Sequence, residues 1–159
     1  MAQDIFARIG DIKGESLDAK HKDEIEVLAF SWGVARTPPG GSRGGAGTGK
    51  AIFEDLSIEH RIDKATPALF EACATGRHIR DATITHRKAG EGRQEYLIVK
   101  LTDVVIAGVS HTGGIDQPYS EIVNLTFAKV DFEYRPQKAD GSLDTGLHFK
   151  FDLKANKVG

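Results

Sequence analysis

A chain of 159 residues with 40% apolar and 28% charged side chains is sized for one globular domain, leaving no room for a second, catalytic one. Its formal net charge of −2 lacks the clustered Lys/Arg excess that phosphate backbones demand, which argues against nucleic acid. The start has neither a basic n-region nor an apolar core, and no apolar run approaches the ~18 residues that span a bilayer, so cytoplasmic synthesis without membrane insertion is expected.

Two-residue periodicity dominates the chain. A first strand is predicted over 5–9. Over 25–36, Leu28, Phe30, Trp32 and Val34 share one face of an extended chain, while Val27, Ala29, Ser31 and Gly33 share the other. Bulky aromatics on the first face suit a core, and the small-residue face of Val27, Ala29, Ser31 and Gly33 suits close approach to another surface or a second buried sheet face within the domain. The alternation over 52–62 sets Leu56, Ile58 and Ile62 against Asp55, Ser57, Glu59 and Arg61.

A helix is predicted after Thr66-Pro67. The threonine is expected to cap and the proline to open it; Leu69, Phe70 and Cys73 give an apolar face, and Gly76 takes the left-handed stop. Strands follow over 82–87, 96–109 and 121–134. In the last, apolar parity changes between Val123, Leu125, Phe127 and Val130, Phe132, Tyr134, as a bulge or sharp coil requires. Turns are marked at 88–92, 112–114 and 139–141, and a half-buried strand closes the pattern with Leu147, Phe149, Phe151 and Leu153. Glycine, 18 of 159 residues against a usual share of about 7%, fits a turn-rich β protein. The reading is one mainly β domain over 1–159: an antiparallel two-sheet barrel with one short helix at its side.

Residues 37–50 stand apart, since a run of Gly and Pro cannot bury apolar surface of its own and is expected to project as a loop. Residues 44–50 read G-x-x-x-x-G-K, but Ala51 stands where a P-loop needs a Ser or Thr for magnesium, and a strand pattern follows where a helix must open. No nucleotide or other cofactor is expected. His21, His60, His78, His86, His111 and His148 include no pair at metal-ligand spacing, so no metal site is assigned. Cys73 reads as a small buried hydrophobe, Ser31, Ser110 and Ser120 lack a nucleophile's context, and Asp23, Glu24 and Glu26 read as a solvated strand entry. Catalysis has no visible seat, and the main rival to a structural role is a small β-barrel that binds a ligand in its mouth.

The order of several short stretches resembles the Hcp family of type VI secretion. They are Ile9-Gly10-Asp11-Ile12-Lys13-Gly14-Glu15-Ser16, Ser31-Trp32-Gly33, His60-Arg61-Ile62-Asp63-Lys64-Ala65-Thr66-Pro67, Ala72-Cys73-Ala74-Thr75-Gly76-Arg77-His78, Glu95-Tyr96-Leu97 and Val123-Asn124-Leu125-Thr126-Phe127. The resemblance implies a hexameric ring of β-barrels, with rings stacked into a hollow tube, and the end at Gly159 fits the plain tube subunit without a fused toxin. It further implies a VgrG spike at the tip, a contractile sheath outside, effector proteins in the lumen, and export without a signal peptide. Under it, Pro38, Pro39, Gly40, Gly41, Ser42, Arg43, Gly44, Gly45 and Lys50 become candidates for ring-on-ring contact, and Val27, Ala29 and Ser31 for the lumen wall or a subunit boundary.

Overall fold

Alternating apolar runs separated by turns have folded into strands that pair antiparallel throughout. The computed structural model describes residues 3–36, 50–89 and 92–159. The elements in chain order are β1 (Gln3–Ile9), β2 (Ile25–Glu26), β3 (Ala29–Ser31), β4 (Val34–Arg36), β5 (Ala51–Phe53), β6 (Leu56–Arg61), α1 (Thr66–Thr75), β7 (His78–Lys88), β8 (Glu95–Gly114), β9 (Gln117–Tyr134), β10 (Leu147–Asp152) and β11 (Lys157–Val158).

The long strands β8 and β9 belong to both halves of the molecule. Their Tyr134 ends pair into the series β11-β10-β9-β8-β7-β1-β2, and their turn ends form a second, four-stranded sheet, β3-β6-β9-β8. The two halves meet again at the β2–β3 corner. There Val27 N–H donates to the Ile5 carbonyl of β1 (2.8 Å), and Leu28 N–H donates to the Glu59 carbonyl of β6 (2.7 Å). The result is a two-sheet antiparallel barrel around a core that includes Ile9, Ile25, Leu56, Ile58, Leu69, Ile84, Val99, Leu101, Ile106 and Leu125, every one of them nearly or wholly removed from water.

The predicted parity change in β9 is present, with Phe127 and then Val130 buried, and β8 changes parity opposite it, from Leu101 to Val104. Pairing continues unshifted across the change, Thr102 with Lys129 and Val104 with Phe127. The cause is Asp103, which takes a left-handed φ of 55° and coils the pair without slipping its register. A true register shift lies further on, between Ile106 and Gly108.

Three local expectations need correction. The run 25–36 is three short strands, interrupted by a corner at Val27 and Leu28 and again at Trp32 and Gly33; because of the corner, Val27 is in the core and Leu28 half exposed, opposite to a single alternation. The turn expected at 112–114 lies at Ile115 and Asp116 instead, since β8 runs on through both glycines to pair Gly114 with Gln117. Helix α1 has Ala65 at its N-cap with no side-chain cap; the Thr66 hydroxyl accepts the Asp63 N–H (3.2 Å). Its buried face is Thr66, Leu69 and Ala72, while Phe70 is exposed and Cys73 packs half-buried against the core. The stop is as expected. Gly76 sits at φ 65°, and the N–H groups of Gly76 and Arg77 close onto Cys73 and Ala72 in a Schellman motif.

Candidate assembly surface

The four-stranded sheet β3-β6-β9-β8 has two faces of different chemistry, set by register. On the core side Phe30, Ile58, Val123 and Val109 lie in one row, and Leu56, Leu125 and Ile106 in another. On the outer side the rows read Ala29, Glu59, Ile122, Ser110, then Ser31, Ser57, Asn124, Gly108, and at one end Arg61, Ser120, Thr112. Small and polar side chains prevail. Ser57 donates to the Asn124 carboxamide oxygen (2.7 Å), and Gly108 leaves room where a Cβ would stand 3.2 Å from Asn124 Nδ2. A shallow depression of about 180 Å³ is lined by Ala29, Phe30, Ser31, Ser57, Ile58, Glu59 and Ile122.

Of the candidate residues, Ala29 and Ser31 stand exposed on this face. Val27 does not join them; its side chain is 8% exposed and faces the core. Pro38, Pro39, Gly40, Gly41, Ser42, Arg43, Gly44 and Gly45 lie outside the described residues, and Lys50 is exposed just before β5.

A polar row that alternation did not single out crosses the core side of the same sheet. His60 of β6, Glu121 of β9 and His111 of β8 occupy directly opposed positions. His60 Nε2–H donates to Glu121 Oε1 (2.8 Å) and His111 Nε2–H to Oε2 (2.7 Å), with His60 and Glu121 fully buried. Burial opposes the charged form of His60, but the Asp63 carboxylate, 3.7 Å from Nδ1, and the bond to Glu121 outweigh it and hold the pKa above 6.5. The ring of Phe70 on α1 meets His111 edge-on at 4.9 Å, so the helix closes over this row. The signal was available, since His60 shares parity with Leu56 and Ile58, and Glu121 with Val123, Leu125 and Phe127.

A second ionic cluster ties the 10–24 loop to the barrel. Arg87, 3% exposed, donates to Asp18 (2.6 Å) and Asp4 (3.0 Å), and its hydrogen bond holds the Asp18 carboxyl well below the usual range. His21 lies between Glu24 and Glu95, 2.7 Å from each, and stacks on Phe6 at 4.4 Å. The expectation of a solvated strand entry therefore fails for Glu24, whose side chain is 15% exposed and engaged. Among the described residues no group of three or more His, Cys, Asp or Glu side chains is arranged to hold a metal ion, and no helix is long and apolar enough to cross a membrane.

The arrangement defines a small antiparallel β-barrel whose distinctive features are faces, ends and projecting strand pairs. Residues 6–134 match the family described as "Type VI secretion system effector, Hcp". Over 159 aligned residues the chain is 48% identical to Protein hcp1 of Pseudomonas aeruginosa, covering 98% of each, and over 143 it is 25% identical to the Major exported protein of the same organism, covering 84% of this chain and 82% of the other. Its fold matches the crystal structure of Hcp1 from Salmonella typhimurium with a TM-score of 0.78, at 38% identity and with both chains fully covered. The chain belongs to the Hcp family of the type VI secretion system.

Proposed function

We propose that the chain is the structural tube subunit of a type VI apparatus: hexameric rings stack into a hollow tube, tipped by a VgrG spike and expelled by a contractile sheath, with effector proteins sheltered in the lumen. The observation that carries the reading is the outer face of the β3-β6-β9-β8 sheet. Ala29, Ser31, Ser57, Ser110, Ser120, Thr112 and Asn124 make a smooth, hydrated wall of low adhesiveness. A lasting protein–protein interface is usually built around clustered aromatic and other apolar anchors, whereas these rows carry no aromatic side chain and Ile122 as their one large apolar one. Ala29 and Ser31 are assigned to the lumen side, and residues 38–50 to contact between rings. The role is structural rather than enzymatic, and the protein leaves the cell through the apparatus.

Purified protein is expected to give hexamers by native mass spectrometry and ring-shaped particles by electron microscopy. Ser31→Arg should leave rings intact and abolish cargo protection. Deletion of residues 38–49 should abolish tubes while rings persist. A lone monomer at every concentration sinks the reading.

A further inference from the structure

The buried His60–Glu121–His111 row leaves one polar atom unpartnered, and it lies beside the start of α1. His60 Nε2–H is committed to Glu121, while Nδ1 is buried and has no hydrogen-bond partner. Facing it is the Asp63 carboxylate, with Oδ2 3.7 Å away. Asp63 is also the knot from which the helix starts. Its Oδ1 accepts the Ala65 N–H (2.8 Å), its carbonyl accepts the Thr66 N–H (3.1 Å), and its own N–H donates to the Thr66 hydroxyl (3.2 Å). One carboxylate therefore faces the buried ring with one oxygen and shapes the first turn of α1 with the other.

The two protonation states of the ring differ at this contact. With Nδ1 bare, its lone pair stands opposite a carboxylate, and two electron-rich groups oppose each other in a site closed to water. With Nδ1 protonated, the same spacing becomes an attraction between imidazolium and carboxylate, supported by Glu121 at the other ring nitrogen. The charged groups facing His60 are Asp63, from the connection between β6 and α1, and Glu121, from β9. His111 of β8 lies across Glu121, and the helix itself carries one ionisable acid, the exposed Glu71.

We infer that the His60–Asp63 contact is a proton-operated latch on α1: the protonated ring holds Asp63 and the first turn of the helix against the barrel, and loss of the Nδ1 proton lets α1 open more often while the strands stay paired. Burial of Leu69 and Ala72 keeps the helix docked in both states, so the latch sets how often it opens. Once released, Asp63 no longer supports the charge on the ring. The docked state thus binds the proton more tightly, and docking weakens as pH rises through the docked-state pKa. The raised pKa of His60 has the same sign. The latch is a property of the single subunit and does not depend on the tube reading.

Amide hydrogen exchange of the full-length protein, read by mass spectrometry as protection factors, tests it. Between about pH 6 and about pH 8.5, protection over 66–75 should fall about tenfold, as for a proton held ten times more tightly in the docked state, while protection of β1 and β7 stays constant. Asp63→Asn keeps an oxygen for the Ala65 N–H but removes the charge, and its α1 protection should not change with pH. A flat wild-type profile, strands that lose protection in parallel with α1, or an Asp63→Asn profile as steep as the wild type overturns the latch. If Asp63→Asn fails to fold, His60→Gln serves in its place, with a flat profile expected and a wild-type slope overturning the inference. The wild-type comparison of helix against strands needs no variant.

Discussion

Val27 and Leu28 are neighbours in sequence, yet their backbone N–H groups serve different halves of the barrel: Val27 donates to Ile5 of β1 and Leu28 to Glu59 of β6. The corner they make is where the sheet series returns on itself. Since the Leu28 side chain is 53% exposed, its contribution is through the main chain. Leu28→Ala is therefore expected to change stability by less than about 0.5 kcal/mol. Leu28→Pro, which removes the donor to Glu59, should cost about 3 kcal/mol or prevent folding. Urea unfolding midpoints separate the two, and equal midpoints would show that the corner is not a closure point.

His86 is 5% exposed, its Nε2 has no hydrogen-bond partner, and burial pushes its pKa down to about 4. Phe30 meets the ring edge-on at 4.9 Å. A depressed histidine pKa means that the unfolded chain binds the proton more readily. Stability from this group is thus present above pH 6.5 and is lost as pH falls toward 4, by up to roughly 3 kcal/mol. His86→Phe should flatten this part of the stability–pH curve. A variant curve parallel to the wild-type one between pH 6.5 and 4 would refute the assignment.

Glu121 sits between His60 and His111, and His60 titrates in the opposite direction to His86. Its raised folded pKa gives stability that is full below 6.5 and declines as pH rises through the folded value. Glu121→Leu leaves the buried His60 Nε2–H without its acceptor, which costs about 1–3 kcal/mol near neutrality. The decline above pH 6.5 should become shallower in that variant. Thermal melts across pH 6 to 9 are the measurement, and an unchanged slope would dissociate the row from the pH response.

Gly76 and Gly14 are needed for different reasons. At Gly76 a Cβ meets nothing within 4 Å, so Gly76→Ala should cost only the left-handed penalty, about 1 kcal/mol. At Gly14 a Cβ would stand 2.5 Å from the Glu24 carbonyl oxygen and 2.8 Å from Ile25 Cα, backbone atoms that cannot swing away. Gly14→Ala should shift the 10–24 loop off β2 and be clearly the worse of the two by unfolding midpoint. The reverse order would place the strain in the wrong glycine.

Regions where one physical cause dominates were readable from the chain alone. Strands over 5–9 and 82–87 are present because solvent on one side and core on the other impose a two-residue period; the strand expected at the end forms as β10, but with Leu147 and Phe149 exposed instead of half-buried. The helix stop at Gly76 is legible because few other residues tolerate its φ. Reading failed where tertiary contacts outweighed a local pattern. The glycines at 113 and 114 look like a turn, but Gly113 is a strand position whose missing side chain admits Tyr119. The parity of Glu121 puts it on the apolar face, but its partners are not readable from its own strand, since two other strands bring His60 and His111 to its oxygens.

The amino-acid order by itself determined that this protein is β-rich, turn-dense, weakly charged and of Hcp type, since alternation, turn chemistry and a succession of short motifs are properties of neighbours in the chain. Only the tertiary structure decided which parity faces the core after Asp103, where the barrel turns its corner, and which apolar residues remain in water at Ile115, Val34 and Ile52. Those outcomes depend on register between strands distant in sequence. A one-residue slip there exchanges inside for outside while leaving the local pattern unchanged.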